Sequence, residues 1–146
     1  MKYLLYFFTL SLVFLVSCNK ESSPEGALED LVSSRFSGSS RSKLLKLVTG
    51  KLKAQIEGMS EENIKKFLEK DGLVRKKMKI TLKNCEANKC FITYILRYND
   101  VRPQGSRFDV EVKKIAEVEL IEKKWFVSDI SNLKTYIDSK KEIKTN

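Results

Sequence analysis

Residues 74–83 read VRKKMKITLK, and this stretch decides the fold class because its apolar positions recur at every second residue. Val74, Met78, Ile80 and Leu82 fall in one phase, and a mostly basic set falls in the other. A period of two is typical of a β-strand that buries one face and leaves the other in solvent. We therefore predict a half-buried strand with one basic face.

Three further strands are predicted downstream. Residues 91–98 are apolar or aromatic in both phases, as expected of a central strand. Residues 108–120 keep one apolar phase, broken only by Lys114, which predicts a long third strand. Residues 125–130 form the fourth, after a tight turn at 122–124. We expect residues 131–141 to close the domain as a short helix, followed by a polar tail at 142–146.

Upstream of the strands, the apolar residues recur at helical spacing. Ser23 is placed to cap a first helix with proline in its first turn, and that helix should end near Phe36. A second helix is predicted over 42–57, with a kink at Gly50, and a third after the capping residue Ser60. Residues 18–26 are interpreted as a tether and 27–141 as one domain.

Helices followed by consecutive antiparallel strands indicate the α+β class, with N-terminal helices packed on a curved four-stranded antiparallel sheet. This order, the long third strand and the closing sequence KWFVSDI at 124–130 resemble the nuclear transport factor two-like superfamily. The resemblance covers roughly residues 24–133 and implies a concave sheet that holds a ligand or a partner protein. A cystatin-like sheet wrapped on a helix is the rival interpretation.

The N-terminus has the form of an export signal. Lys2 is followed by 14 uncharged, mostly apolar residues at 3–16, which is shorter than the roughly 20 residues that a membrane-spanning helix needs. The next residues complete the motif Leu15-Val16-Ser17-Cys18, which resembles the lipobox of bacterial lipoproteins. An ordinary cleaved signal peptide with a chance cysteine, or an uncleaved anchor, are the alternatives.

The lipobox resemblance implies that residues 1–17 are a signal peptide and that Cys18 becomes the first residue of the mature chain. In that family the cysteine thiol carries diacylglycerol and the new amino group is usually acylated. Two or three acyl chains hold a protein firmly on a bilayer. The implied location is the bacterial cell envelope, and Asn19, rather than aspartate, after the cysteine favours the outer over the inner membrane in a Gram-negative cell.

Cys85 and Cys90 flank four residues between two predicted strands. If those residues form a hairpin loop, the cysteines lie opposite one another, where a disulfide can form. An exported protein meets the oxidising conditions that such a bond needs. Free thiols or a redox role are the alternatives, although the spacing is not that of a Cys-x-x-Cys motif.

The basic excess points to a second candidate site. The chain has 28 Lys and Arg against 19 Asp and Glu, a net charge of +9, and residues 41–97 alone hold 15 basic and 6 acidic residues. Arg75, Lys77, Lys79 and Lys83 are expected on one strand face, spaced to contact phosphates or another polyanion. A merely solvated lysine-rich face is the alternative. Nucleic acid is not expected as a partner of an exported lipoprotein.

The chain contains no histidine. This excludes Ser-His and Cys-His nucleophile pairs, an imidazole base and imidazole metal ligands. We therefore expect no cofactor, no metal site and no catalytic residue. A carboxylate such as Asp129 in the sheet concavity is the enzymatic alternative, and Tyr94, Tyr98, Phe108 and Trp125 are candidates to line a pocket there.

These observations together predict a lipid-anchored cell-envelope protein with a non-enzymatic domain that binds a small ligand or an envelope protein. A small carboxylate-dependent enzyme is one alternative. The other is a binder of envelope polyanions or of an anionic membrane through the basic face.

Overall fold

A computed structural model describes residues 23–68, 73–101 and 107–138 of the chain. Four helices come first and four strands follow. The helices are α1 (Pro24–Phe36), α2 (Arg41–Leu45), α3 (Gly50–Gly58) and α4 (Glu61–Phe67), and the strands are β1 (Leu73–Glu86), β2 (Lys89–Val101), β3 (Arg107–Ile121) and β4 (Lys124–Asp138). The predicted α+β class with a four-stranded antiparallel sheet is confirmed.

The sheet is an antiparallel meander in the order β1-β2-β3-β4. Its even-numbered positions on β2 are buried, so this side is here called the inner face and the opposite side the outer face. The inner face packs on the helices, and one apolar cluster joins the two layers. Its largest fully buried side chains are Leu28, Leu31, Val32, Leu44 and Ile56 from the helices and Tyr94, Ile92, Val118 and Val127 from the sheet. Each such side chain contributes roughly 1.5–3 kcal/mol by leaving water.

The first helix begins as its sequence predicts. The Ser23 hydroxyl accepts a hydrogen bond from the Gly26 amide at 3.0 Å, and Pro24 occupies the first helical position. The serine oxygen satisfies a backbone donor that has no partner within the helix. Because α1 starts at Pro24, the last three residues of the predicted tether belong to the helix. The predicted signal peptide, residues 18–22 of the tether and the polar tail lie outside the described residues.

The second helix was predicted as one kinked element, and this prediction is wrong. Two helices, α2 and α3, occupy the stretch, and between them Val48 forms a parallel bridge with Val127 of β4. The Thr49 amide donates to the Val127 carbonyl at 3.0 Å, and the Val127 amide donates to the Leu47 carbonyl at 3.1 Å. These bonds need an extended backbone that no helix can supply. Gly50 then restarts the helix at a φ of +52°.

The closing helix predicted at 131–141 is also wrong over its described part. β4 instead continues to Asp138, because residues 109–115 of β3 offer it a backbone partner along its whole length. Leu133, Tyr136 and Ile137 have the spacing of a helix stripe, but they lie on a strand, where Leu133 is 53% and Ile137 is 59% exposed. Residues 139–141 lie outside the described part of the chain. Within the described part, no helix is long and apolar enough to span a bilayer.

Candidate anion-binding face

Two register shifts in β1 decide which basic side chains share a face. The pairing with β2 slips between Arg75 and Lys77 and again between Ile80 and Leu82. Each slip adds one residue to β1, so the side chains beyond it change sides. Leu82, expected in the core, therefore lies on the outer face and is 64% exposed.

The prediction that Arg75, Lys77, Lys79 and Lys83 share one face is therefore wrong. Lys77 and Lys79 pair with Arg97 and Ile95 on the outer face. Lys83 pairs with Ile92 and forms an ion pair with Glu25 on the helical side. The backbone of Arg75 lies opposite Tyr98, a residue of the inner face, and the arginine side chain lies outside the described residues.

The outer face adds three cations that the sequence reasoning missed. Arg97 pairs with Lys77 from the neighbouring strand. Lys113 and Lys134 lie on β3 and β4 in the adjacent row, which begins with Lys79 on β1. All five side chains are exposed. We call this set the basic patch: Lys77, Lys79, Arg97, Lys113 and Lys134. Lys77, Lys79 and Arg97 line, with Ile95, a groove of about 190 Å³.

An acidic side chain lies among the described members of this patch. Glu111 accepts a hydrogen bond from the Arg97 guanidinium, with the two atoms 2.5 Å apart. Lys113 and Lys134 lie directly opposite each other, a like-charge pair that costs stability in a sheet. Lys134 also lies over the Tyr136 ring at 4.6 Å. The patch therefore keeps a strong positive excess that an anionic ligand would relieve.

Partial signals for the missed cations were present in the sequence. Lys113 lies in the odd phase of the third strand, opposite the apolar phase of residues 108–120. Lys134 was assigned to a helix that does not exist, and Arg97 stood in a strand interpreted as apolar on both sides. Pairing between strands, which brings these three together, is not visible in one-dimensional periodicity.

The other half of the outer face carries acidic residues that are paired with lysines. The Lys89 ammonium donates to Glu117 at 2.6 Å and lies 3.2 Å from Glu119. These contacts hold the pKa of Glu117 below its ordinary value, mainly through the Lys89 hydrogen bond, with a smaller contribution from Ser128. They raise the pKa of Lys89. With these pairs, this half shows no positive excess comparable to the basic patch.

Asp129, the candidate catalytic base, belongs to this acidic half and faces outward. One carboxylate oxygen lies 3.2 Å from the Lys51 ammonium, and the other accepts from the Ile130 amide at 2.9 Å. With Glu117, Phe91, Ile115 and Ser131 it lines a shallow groove of about 150 Å³. The enzymatic alternative placed this carboxylate in the concavity under the helices, and that placement is wrong.

The side chains between the helices and the sheet form one apolar core cluster. Tyr94 is fully buried within it, Tyr98 packs against Phe36 with ring centroids 5.9 Å apart, and Trp125 packs against its margin. Over residues 23–68, 73–101 and 107–138, the buried polar or charged residues are Ser34, Arg35, Thr93 and Ser128, a set without a carboxylate. In the same ranges no group of histidine, cysteine and acidic residues is arranged to hold a metal ion.

Cys85 and Cys90 face each other as partners in the β1–β2 hairpin. Their Cα atoms are 4.0 Å apart, and a disulfide joins the sulfurs. The connecting turn is shorter than the predicted four residues, because Glu86 and Lys89 still pair and only Ala87 and Asn88 remain in the turn. The predicted lipidation residue, Cys18, lies outside the described residues.

Comparison with known proteins yields a distant structural similarity. No protein-family model matches the chain, and no curated protein matches it. A solved structure that is similar in fold is a proposed calcium/calmodulin dependent protein kinase II association domain from Xanthomonas campestris. It is 14% identical, with a TM-score of 0.48, over 72% of this chain and 80% of that chain.

Proposed function

We propose that the chain is a lipid-anchored protein of the bacterial cell envelope, with a non-enzymatic domain that binds an anionic polymer of the envelope through the basic patch. The single observation that carries the binding role is the convergence of Lys77, Lys79, Arg97, Lys113 and Lys134 on the exposed outer face. The anchor is the diacylglycerol that the lipobox at 15–18 implies for Cys18. The fold we assign is nuclear transport factor two-like, supported by the helices-first order and the long third strand.

The geometry of the basic patch suits a ligand with repeated negative charges. Lys77 and Lys79 are two residues apart on one strand, about 6.6 Å, and neighbouring strands lie about 4.8 Å apart. The five cations therefore form a two-dimensional array rather than a closed pocket. An array of this kind contacts several charges of a polymer at once, whereas a single small anion would meet only one or two of them.

A non-enzymatic role is supported by the placement of the acids. Asp129, the carboxylate that the enzymatic alternative names, lies on the outer face beside Lys51, and Glu117 lies on the same face beside Lys89. Lys89 lowers the pKa of Glu117, whereas a general base that works near neutral pH needs a raised pKa. A packed interior and a charged exterior together suit binding by the surface.

Binding of long-chain polyphosphate to the Cys18→Ala mature chain, followed by fluorescence anisotropy at several salt concentrations, tests this function. We expect salt-sensitive binding that a Lys79→Glu/Lys113→Glu variant weakens at least about tenfold, since two attractions become repulsions. Lys43→Glu/Lys65→Glu is the matched control, because it makes the same change of net charge at exposed positions of α2 and α4. Equal weakening by both variants would show that only net charge matters and would overturn the patch as the site.

A further inference from the structure

We propose that the domain rests on its anchoring bilayer through the hairpin end of the sheet, so that the basic patch is directed away from that bilayer. The hairpin end is defined as the turns at 87–88 and 122–123 with the exposed apolar residues Leu82, Phe91 and Ile121 beside them. This inference rests on the proposed lipid anchor at Cys18. It deepens the proposed function, because it selects a polymer beyond the membrane over the headgroups of the anchoring leaflet as the ligand.

The first step is the length of the connection. Cys18 is five residues before Ser23, the residue that caps α1. Five residues of fully extended chain span at most about 17 Å. A lipid on Cys18 therefore keeps the start of α1 within about that distance of the membrane surface.

The second step is the position of the start of α1 on the sheet. Glu25, in the first turn of α1, forms an ion pair with Lys83, and this contact lowers the pKa of Glu25. Lys83 lies four residues before Ala87, or about 13 Å along the strand from the first hairpin turn. The Leu120 amide donates to the Asn88 carbonyl at 2.7 Å, which ties the second hairpin to the first. The anchored end of α1 and both turns therefore belong to the same half of the domain.

The third step is the chemistry of this half. Phe91 is 40% and Ile121 is 41% exposed on the outer face, and Leu82 is more exposed still. Near the turns, Glu86 and Glu122 balance Lys123 and Lys124, so little net charge opposes or drives contact with lipid. Trp125 lies half-buried directly after the second turn, on the inner face opposite Leu120, and tryptophan favours the interface between headgroups and acyl chains. An apolar, nearly neutral surface within reach of the anchor fits a bilayer.

The opposite end of the sheet also exposes apolar side chains, but the anchor does not reach it. Ile137 pairs with Val110, which pairs with Tyr98, six residues along β2 from the Ile92 that faces Lys83. Six residues of strand are about 20 Å, more than the whole connection spans. Lys77 pairs with Arg97, five residues along β2 from Ile92 or about 17 Å, and lies on the other face of the sheet from Lys83. The basic patch is therefore held away from the anchoring leaflet.

Fluorescence of the single tryptophan tests this orientation in the lipidated, full mature protein. The protein is reconstituted in vesicles of phosphatidylethanolamine and phosphatidylglycerol with or without brominated acyl chains, which quench tryptophan only at short range. We expect Trp125 to lose emission in the brominated vesicles. The matched control, Trp125→Phe/Tyr136→Trp, moves the only tryptophan to the opposite end of β4. We expect its emission to fall little in the brominated vesicles.

Flotation of the same vesicles distinguishes a failure of the proposed lipid anchor from a failure of the proposed orientation. If the protein does not float with them, the lipid anchor fails and the orientation falls with it. If it floats but Trp125 is quenched no more than the tryptophan at 136, the anchor stands and the orientation is wrong. A Phe91→Ser/Ile121→Ser variant should float as before, and quenching of Trp125 should decrease. Unchanged quenching would show that Phe91 and Ile121 do not contact the bilayer.

Discussion

Lys79 and Lys83 lie four residues apart on β1, yet their side chains leave opposite faces of the sheet. Lys79 pairs with Ile95 on the outer face and lines the basic groove, whereas Lys83 pairs with Ile92 and contacts Glu25 of α1. The register shift between Ile80 and Leu82 separates them. Two lysines that appear equivalent in the sequence therefore have different roles.

Charge reversal at these two lysines should give opposite results. Lys83→Glu places two acids together at the start of α1, and we expect it to lower the free energy of unfolding by about 0.5–1 kcal/mol, as for an exposed pair, with little effect on polyphosphate affinity. Lys79→Glu should weaken polyphosphate binding severalfold and leave stability nearly unchanged. Urea unfolding and anisotropy titration of both variants measure the two effects. If the two variants changed stability and polyphosphate affinity in the same way, Lys79 and Lys83 would not have the separate roles described.

The disulfide should be present in the exported protein and should make a modest contribution to stability. Thiol titration of denatured, unreduced mature protein should find no reactive thiol from Cys85 and Cys90, and recovery of two would show that they are free. For so short a closed loop, the Cys85→Ala/Cys90→Ala variant should lose about 2 kcal/mol in urea unfolding. Reduced wild-type protein should have about the same free energy of unfolding as that variant.

The β3–β4 turn should be improvable by substitution. Glu122 and Lys123 both have positive φ, 48° and 65°, a conformation that costs most side chains energy and that asparagine and glycine tolerate. We expect Glu122→Asn/Lys123→Gly to raise the free energy of unfolding by about 1 kcal/mol. The control variant Glu122→Lys/Lys123→Glu exchanges the two side chains, keeps the composition and should produce no such gain. Thermal unfolding of both variants provides the measurement.

Acid should remove the stabilisation from Glu117. Lys89 holds the pKa of this carboxyl below 4.5, so the ion pair adds stability above the pKa of the unfolded chain and loses it as pH falls through the folded value. The wild-type advantage over Glu117→Gln should therefore be constant near neutral pH and shrink below about pH 4.5. Because the pKa of Lys89 is raised, the advantage should also shrink above about pH 10.5. An advantage independent of pH would contradict the ion pair.

The anchor at Cys18 has a direct test. We expect wild-type protein to incorporate labelled fatty acid and to sediment with membranes, and Cys18→Ala to do neither. Cys85→Ala/Cys90→Ala is the matched control, because it removes cysteines elsewhere in the chain. This variant should still be labelled and should still sediment with membranes. A Cys18→Ala protein that is still labelled and still sediments would refute the lipobox interpretation.

Much of the fold was predictable because local periodicity reflects burial. The caps at Ser23 and Ser60 and the boundaries of α1 follow from residue types alone, and both serines accept the expected hydrogen bonds. The four strands were also predicted, the first and third from apolar residues at every second position and the second from a run of apolar residues. In each case the deciding interactions lie close together in the sequence.

The failures share a different cause, which is pairing between distant segments. The break between α2 and α3 results from hydrogen bonds to Val127, far along the chain, and β4 displaces the predicted closing helix because β3 offers it a ladder. The two bulges in β1 are set by β2 and moved Lys83 off the basic face. The basic patch combines side chains from all four strands, so only its members on β1 were foreseen.

The backbone bridge at Val48 makes the helices and the sheet one cooperative unit. Without it, the helical layer would rest on the sheet through side chains alone and could detach while β4 stayed intact. With Thr49 and Leu47 bonded to both sides of Val127, the linker between α2 and α3 acts as a short extra strand along β4. Lifting the helices therefore requires opening a sheet edge. In native-state hydrogen exchange, the amides of Thr49 and Val127 should open together, at a free energy close to that of global unfolding.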